Sequence, residues 1–278
     1  MQNTITYIKE SLKTYYPESE ILGFVRIITE YITGKPYSHI IVDNQKLSDI
    51  QQKRLNDILE QLKEYKPIQY ITGESYFFDL LFFINKDTLV PRPETEELVE
   101  LILNENEESG LRVLDIGTGS GAIAIALASY MDDPLISAWD FSQGALDVAI
   151  LNAEQNEVEV DFEKVDVLKD YPTDTLYDII VSNPPYIMEG EKAAMDKNVL
   201  EYEPHTALFV PDNNALLFYD RIADIALNIL KPDGKLYFEI NQAKGKETVK
   251  LLEDKGFRNV SLFQDLNKND RMVRAEKS

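Results

Sequence analysis

The chain has 278 residues, of which 44% are hydrophobic and 28% charged, a composition typical of a globular protein with one or two domains. It contains no cysteine and two histidines, so we expect no disulfide and no metal site. The net charge is −21, whereas residues 1–85 carry 9 basic and 11 acidic residues. The strongly acidic remainder argues against direct nucleic-acid binding and suits either a basic protein partner or simple solubility.

The apolar segments and the N-terminus bear on the cellular compartment of the protein. No apolar run reaches the roughly 18 residues that a membrane span needs. The first residues, "MQNTITYIKESLKTYY", lack the basic stretch and apolar core of a signal peptide. We therefore expect a cytoplasmic protein without membrane contact.

Residues 1–66 are predicted to form a small helical bundle with a role in partner recognition. Apolar residues recur at helical spacing around Ile8 and around Val25. A third helix is expected after Ser48, with Gln51 completing a capping box. Its apolar stripe consists of Leu55, Ile58, Leu59 and Leu62.

Residues 67–92 are predicted to form a β-hairpin linker. Aromatic and β-branched residues dominate residues 68–90, and turn-forming residues occur at Gly73 and at Asn85-Lys86-Asp87. A helix then begins at Pro93, because proline suits the first helical turn and the glutamates that follow favour its positive end.

Residues 93–278 alternate between strands and helices, which predicts an α/β domain. Strands are expected at 112–116, 135–140, 161–165, 176–182, 235–240, 259–265 and 271–276. Helices are expected at 120–130, 142–155, 213–230 and 243–256. Strands separated by helices form a mostly parallel sheet covered on both faces. The turn before the last of the seven strands is too short for a parallel crossover, so that strand is antiparallel.

A glycine-rich loop follows the first of these strands. Its residues are Gly117, Thr118, Gly119, Ser120 and Gly121. Glycines there let the backbone turn sharply and approach a ligand closely. Gly117-x-Gly119-x-x-Ala122 also satisfies the dinucleotide fingerprint. Two observations favour S-adenosylmethionine instead: the Asp115 carboxylate would repel a pyrophosphate but attract an ammonium group, and the loop lies in the middle of the chain.

Acidic residues end the next two strands at the same edge of the sheet. Asp140 is placed to accept hydrogen bonds from ribose hydroxyls. Asp166 could accept from the exocyclic amine of adenine, with Val167 packed on the ring. An ordinary turn residue is the alternative for Asp166, but Asp115, Asp140 and Asp166 at consecutive strand ends favour a ligand site.

The segment "VSNPPYIMEG" follows the fourth strand. Two prolines stop a strand, which alone would explain a simple turn. However, the Asn183 side chain can accept from a substrate NH₂ group and donate to a neighbouring acceptor, and the Pro184 carbonyl is a second acceptor. Pro185 fixes the direction of that carbonyl, and Tyr186 offers a face for stacking. These residues predict a clamp for a planar NH₂ group, with Asn183, Pro184 and Tyr186 catalytic.

The segments "VPRPETEELVE", "VLDIGTGSGAIAIALA", "IVSNPPYI", "EYEPHTAL" and "NDRMV" resemble the peptide chain release factor glutamine methyltransferases, the PrmC/HemK family. NPPY is shared with DNA adenine and RNA guanine amino-methyltransferases, whereas PRPETE combined with NPPYI is more specific. The resemblance implies a helical bundle, a β-hairpin and a Rossmann-like class I methyltransferase domain. It also implies methylation of the glutamine amide in the GGQ motif of class 1 release factors.

Carried over to this chain, the resemblance assigns the loop Gly117–Gly121, Asp140 and Asn183 to S-adenosylmethionine. It assigns Asn183, Pro184, Pro185 and Tyr186 to the glutamine amide. Val167 stands where many family members have an aromatic residue, so only apolar packing on adenine is expected. "FEINQAKG" departs from the usual glutamate-glycine pairing. Glu203 and Pro204 are expected first to brace a loop and second to contact the substrate. Arg92 is expected to pair with an acidic neighbour or touch the partner.

Three alternatives stay open. The first is a glutamine methyltransferase acting on a ribosomal protein, and the second is a DNA or RNA amino-methyltransferase, which the acidic charge disfavours. The third is a cofactor-binding module without catalysis, which the intact NPPY motif disfavours.

Overall fold

A computed structural model of the chain describes residues 1–43 and 46–278 and separates them into two compact units. The helical unit comprises 1–73 and 196–202, and the sheet unit comprises 74–195 and 203–278. None of the helices within these described ranges is both long and apolar enough to cross a membrane.

The order of helices and strands follows the predicted alternation over residues 112–276. The helices are α1 (Gln2–Leu12), α2 (Glu18–Thr33), α3 (Tyr37–Asp43), α4 (Asp49–Lys63), α5 (Ile68–Thr72), α6 (Pro93–Glu105), α7 (Ala122–Tyr130), α8 (Gln143–Gln155), α9 (Lys197–Tyr202), α10 (His205–Leu208), α11 (Leu217–Ile229) and α12 (Gly245–Asp254). The strands are β1 (Glu74–Phe77), β2 (Leu80–Phe83), β3 (Arg112–Ile116), β4 (Leu135–Asp140), β5 (Asp161–Lys164), β6 (Tyr177–Ser182), β7 (Ile187–Met188), β8 (Phe209–Val210), β9 (Leu230–Glu239), β10 (Arg258–Gln264) and β11 (Asp270–Glu276). Short 3₁₀ turns occupy Glu189–Ala194 and Gln242–Lys244.

The helical unit has its own apolar core. Its buried residues are Ile8, Leu12, Ile21, Phe24, Val25, Ile28, Ile32, Leu55, Ile58, Leu59, Leu62 and Ile68. The predicted stripe of α4 is therefore confirmed. The predicted capping box is also present, because Ser48 Oγ accepts from Gln51 N at 3.3 Å and Gln51 Oε1 accepts from Ser48 N at 3.0 Å.

The β-hairpin is shorter than the sequence predicts. Residues 68–72 form α5 instead of a strand, ended by Gly73 in the left-handed region with φ 79°. The strands β1 and β2 pair antiparallel around Phe78 and Asp79, both with positive φ. A phenylalanine is a poor signal for such a turn, and the Phe78 N–H is held by Glu96 Oε1 at 2.8 Å. The tertiary hydrogen bond therefore compensates for unfavourable turn chemistry.

A seven-stranded sheet forms the centre of the other unit, with strand order β10-β11-β9-β6-β3-β4-β5. Five strands are parallel, and β11 pairs antiparallel with β9 and β10, which confirms the predicted antiparallel end. From β3 the chain moves outward through β4 and β5, and from β6 it moves the other way. Right-handed crossovers then place α7 and α8 on one face and α11 on the other. The order of strands reverses between β3 and β6.

Asn152 connects the hairpin to α8 and to the glycine loop within the sheet unit. Its side chain is fully buried, with Oδ1 accepting from Phe83 N at 2.7 Å and Nδ2 donating to Phe83 O at 2.9 Å. Nδ2 also donates to Ser120 O at 2.9 Å, within the glycine loop. One side-chain amide thus forms hydrogen bonds with both backbone groups of Phe83 in β2 and with the carbonyl of Ser120 in the glycine loop.

We expect Asn152→Ala to lower the free energy of unfolding by about 1–3 kcal/mol, because one buried and two partly buried backbone groups lose their partner. Urea unfolding followed by circular dichroism measures this change. The control is Asn104→Ala, an exposed helical position where the change should stay within about 0.5 kcal/mol. Equal effects of the two substitutions would contradict the role given to Asn152.

Candidate active site

A cavity of about 480 Å³ lies in the sheet unit at the carboxyl ends of β3, β4 and β6. The strand order reverses there, and open α/β sheets bind ligands at such a point. The predicted site residues that line the cavity are Gly117, Thr118, Gly119, Ser120, Asp140, Asp166, Val167, Asn183, Pro184 and Pro185. Three other predicted residues, Asp115, Gly121 and Tyr186, do not line it and support those that do.

Two positions of the loop, 119 and 121, are glycine for different structural reasons. Gly119 has φ 57°, and its N–H donates to Asp140 Oδ2 at 2.9 Å, which ties the loop to the end of β4. Gly121 has φ 83°, and a Cβ there would lie 2.8 Å from Ile125 Cδ1 and 3.2 Å from Ala149 Cβ. Gly121 is therefore required by the close packing of α7 against α8.

Asp115 is buried behind the loop. Its Oδ2 accepts from the Thr118 hydroxyl at 2.7 Å, and Thr118 is the residue on the cavity wall. Burial raises the pKa of Asp115 to about 7, although the bond from Thr118 opposes the rise. In the structure Asp115 thus orients the loop through Thr118, and its predicted contact with an ammonium group stays a prediction.

The two other acidic strand ends differ in their surroundings. Each carboxylate oxygen of Asp140 accepts one backbone N–H, at 2.9 and 2.8 Å, and burial raises its pKa. Asp166 is paired with Lys169 at 2.9 Å, which lowers its pKa. Val167 is 9% exposed and belongs to the apolar core, so it offers the cavity a packed apolar surface. Within the described residues, no group of three or more His, Asp or Glu could hold a metal ion.

The Asn183 side chain is held from behind by Glu239, a residue that the sequence analysis did not select. Asn183 Nδ2 donates to Glu239 Oε2 at 2.9 Å and to Thr95 Oγ1 at 3.3 Å. The Thr95 hydroxyl donates to the same Oε2 at 2.6 Å. These are the neighbouring acceptors that the predicted clamp requires, and they leave Asn183 Oδ1 available to accept from a ligand.

Tyr186 belongs to the same network. Its hydroxyl donates to Glu239 Oε1 at 3.1 Å, and its ring packs against the apolar core of the sheet unit. Burial and the Glu239 carboxylate raise the pKa of Tyr186. Tyr186 is partly buried and is not among the residues that line the cavity. Its predicted role as a stacking surface for substrate stays a prediction.

Arg92 and Glu203 form an ion pair beside the cavity. Arg92 Nη2 donates to Glu203 Oε1 at 2.6 Å, and the Glu203 side chain is 1% exposed. Burial raises the pKa of Glu203 and the Arg92 guanidinium lowers it. Arg92 and Pro204 both line the cavity, so the Arg92–Glu203 ion pair lies at its wall. The role of Glu203 as a loop brace stays a prediction.

Sequence reasoning missed Thr95 and Glu239. Thr95 lies inside the PRPETE motif, which predicts only a helix start. Glu239 ends β9 at the carboxyl edge, the same criterion that identified Asp140 and Asp166. That signal was present, but a single glutamate at a strand end predicts no partner 144 residues away in sequence.

Asp115 generates a prediction about pH. Its pKa is about 7 when folded and near the ordinary 3.8 when unfolded, so the folded protein binds an extra proton between these values. Stability should therefore fall as pH rises from about 4 to 7, by at most about 1.4 kcal/mol per pH unit. Asp115→Asn removes this titration. The free energy of unfolding of the variant minus that of the unchanged protein should therefore be larger at pH 8 than at pH 5. Urea unfolding at both pH values tests this, with exposed Asp147→Asn as control, and an identical difference at both would contradict it.

Comparison with known proteins agrees with this geometry. Residues 94–202 match the family model of the Methyltransferase small domain, and residues 3–73 match that of the PrmC N-terminal domain. A release factor glutamine methyltransferase of Flavobacterium psychrophilum is 47% identical over 99% of this chain and 98% of its own length. Another, from Bacteroides thetaiotaomicron, is 42% identical over 100% of both chains.

A solved structure shows the same fold at lower identity. A methyltransferase from Pyrococcus furiosus has a TM-score of 0.54 and 17% identity, covering 83% of this chain and 100% of that one. The fold comparison and the sequence comparisons both match methyltransferases. The chain therefore belongs to the release factor glutamine methyltransferase family.

Proposed function

We propose that this protein uses S-adenosylmethionine to methylate the side-chain amide nitrogen of the glutamine in the GGQ motif of class 1 peptide chain release factors. The observation that carries the proposal is the Asn183 amide, whose NH₂ is bonded to Glu239 and Thr95 while Oδ1 is available to a substrate NH₂. The relatives' name, release factor glutamine methyltransferase, supports glutamine rather than a nucleobase. We assign recognition of the release factor to the helical N-terminal region, residues 1–66.

The cavity fits the cofactor in size and in donor set. Its volume of about 480 Å³ lies within the range of small-molecule sites. Gly117 and Gly119 on its wall have left-handed φ and no Cβ, so a bound molecule can lie directly against their backbone. Each Asp140 oxygen keeps a lone pair beyond its one backbone bond, which suits ribose hydroxyls. Asp166 and Val167 would serve the adenine, and Asp115 would act through Thr118.

When bound, S-adenosylmethionine supplies a methyl group on a positively charged sulfur. The work of this chain is to orient the nucleophile, because an amide nitrogen delocalises its lone pair and attacks poorly. Asn183 Oδ1 and the Pro184 carbonyl would accept from the two N–H bonds and hold the nitrogen facing the donor. Such alignment can supply roughly 7–11 kcal/mol. A methylated amide that keeps both hydrogens is a strong acid, so no general base is needed.

The test is transfer of a radiolabelled methyl group from S-adenosylmethionine to a purified class 1 release factor. We expect label on the GGQ glutamine and none on the same factor with that glutamine replaced by alanine. Absence of label on the glutamine would overturn the proposal. Label on a ribosomal protein, or on DNA or RNA, offered in parallel reactions would replace it with the corresponding alternative.

We expect Asn183→Ala to lower kcat about 100- to 1000-fold, because the nucleophile loses one of its two acceptors. Cofactor affinity, measured by isothermal titration calorimetry, should change less than about threefold. The contrasting variant is Asp140→Ala, which should weaken cofactor affinity by at least about tenfold, since a buried carboxylate with two acceptor oxygens is lost. Near-full activity of Asn183→Ala would disprove the proposed clamp.

A further inference from the structure

Glu239 is a buried carboxyl group that touches the clamp but not the cavity. It is 1% exposed, it ends β9, and it lies behind Asn183 rather than on the cavity wall. Its Oε2 accepts from Asn183 Nδ2 and from the Thr95 hydroxyl, and its Oε1 accepts from the Tyr186 hydroxyl. Three neutral side chains therefore converge on one carboxyl group.

No cation in the described part of the chain forms a direct ion pair with Glu239. Arg271 acts on Glu239 through its field, while its Nε donates to Asp265 Oδ2 at 3.2 Å. A buried carboxyl group without a paired cation is costly, and here its direct partners are the three hydrogen-bond donors. This desolvation cost suggests that Glu239 has a role besides packing.

The orientation of Asn183 is the property that Glu239 controls. The two ends of a carboxamide have nearly the same shape, so shape alone cannot decide which end faces the cavity. With Nδ2 toward the cavity, Asn183 would present donors to a substrate NH₂ group and could not grip it. Oε2 of Glu239 is an acceptor in either protonation state, because a proton on the carboxyl group can reside on Oε1 and form a hydrogen bond to the Tyr186 hydroxyl oxygen. The flipped amide would leave Oε2 facing an oxygen.

We propose that Glu239 is a positioning residue that locks the Asn183 carboxamide with Oδ1 toward the substrate, through the hydrogen bond from Asn183 Nδ2 to Glu239 Oε2. Thr95 strengthens the lock, because it accepts from Nδ2 while donating to the same Oε2. The inference rests on the proposed methylation of an amide nitrogen. Glu239 thereby selects substrates that donate hydrogen bonds at this point over substrates that accept them.

Two substitutions separate the hydrogen bond from the charge and from packing. In Glu239→Gln, the side-chain oxygen can take the place of Oε2 and the NH₂ can donate to Tyr186, so we expect kcat within about fivefold of the unchanged protein. In Glu239→Met, a side chain of similar length lacks the acceptor, so kcat should fall about 100-fold. Affinity for S-adenosylmethionine should change less than about twofold in both variants, because Glu239 does not line the cavity. Equal losses of kcat in Glu239→Gln and Glu239→Met would overturn the proposal, since kcat would then depend on the charge of Glu239 and not on its hydrogen bond to Asn183.

The matched control is Glu105→Met. Glu105 Oε2 also accepts from a tyrosine hydroxyl, that of Tyr237 at 2.7 Å, but Glu105 lies away from the cavity. This variant should lose stability without losing kcat. If Glu239→Met does not fold, Thr95→Val serves instead, because it removes one of the two acceptors of Asn183, with an expected fall in kcat of about 5- to 20-fold. An unchanged kcat in Thr95→Val would count against the lock.

A readout without turnover separates this inference from the proposed function. In protein labelled with ¹⁵N-asparagine, the side-chain NH₂ of Asn183, identified by its loss in Asn183→Ala, should exchange slowly with water. We expect protection to persist in Glu239→Gln and to fall at least about tenfold in Glu239→Met. Equal exchange in these two variants would overturn the inference. Absence of methyl transfer by a protein that shows this protection would disprove the function and leave the lock intact.

Discussion

A carboxyl group can be buried only where polar partners surround it, and in this protein that requirement brings distant segments of the chain together at Glu239. Thr95 comes from the start of α6, Asn183 and Tyr186 from the segment after β6, and Glu239 from the end of β9. These segments enclose one side of the cavity. The position of Asn183, and with it the chemistry available there, depends on this set of hydrogen bonds.

The same requirement explains the PRPETE motif. Pro93 begins α6, as the sequence predicts, and the residues beside it serve two buried carboxyl groups. Arg92 pairs with Glu203, and Thr95 donates to Glu239. Burial raises the pKa of both glutamates, and each is met by a partner of a different kind, a cation for one and hydroxyl and amide groups for the other. A short motif at a helix start thus stabilises two parts of the cavity wall.

The parts of the site that depend on local patterns could be predicted. The glycine loop and Asp140 follow from a strand, a turn and a helix in sequence, and the sheet edge collects such residues by topology. The parts that depend on long-range pairing could not. No residue near Glu239 in the sequence indicates that Thr95 is its partner. No residue near Tyr186 indicates that its hydroxyl donates to the buried Glu239. Similarly, residues 68–72 read as a strand by composition, but Pro67 and Gly73 enclose one turn of helix.

The assignment of α9 to the helical unit has a consequence for synthesis. Residues 1–73 supply most of that unit, but it also includes residues 196–202, with Tyr202 donating to Glu64 O at 3.0 Å. At about 5–20 residues per second, the ribosome adds this last segment on the order of 10 s after the first part. The buried core of the N-terminal unit lies within residues 8–68, so it can form before that segment is made. The addition of α9 to the unit, by contrast, waits until the NPPY segment has also been made.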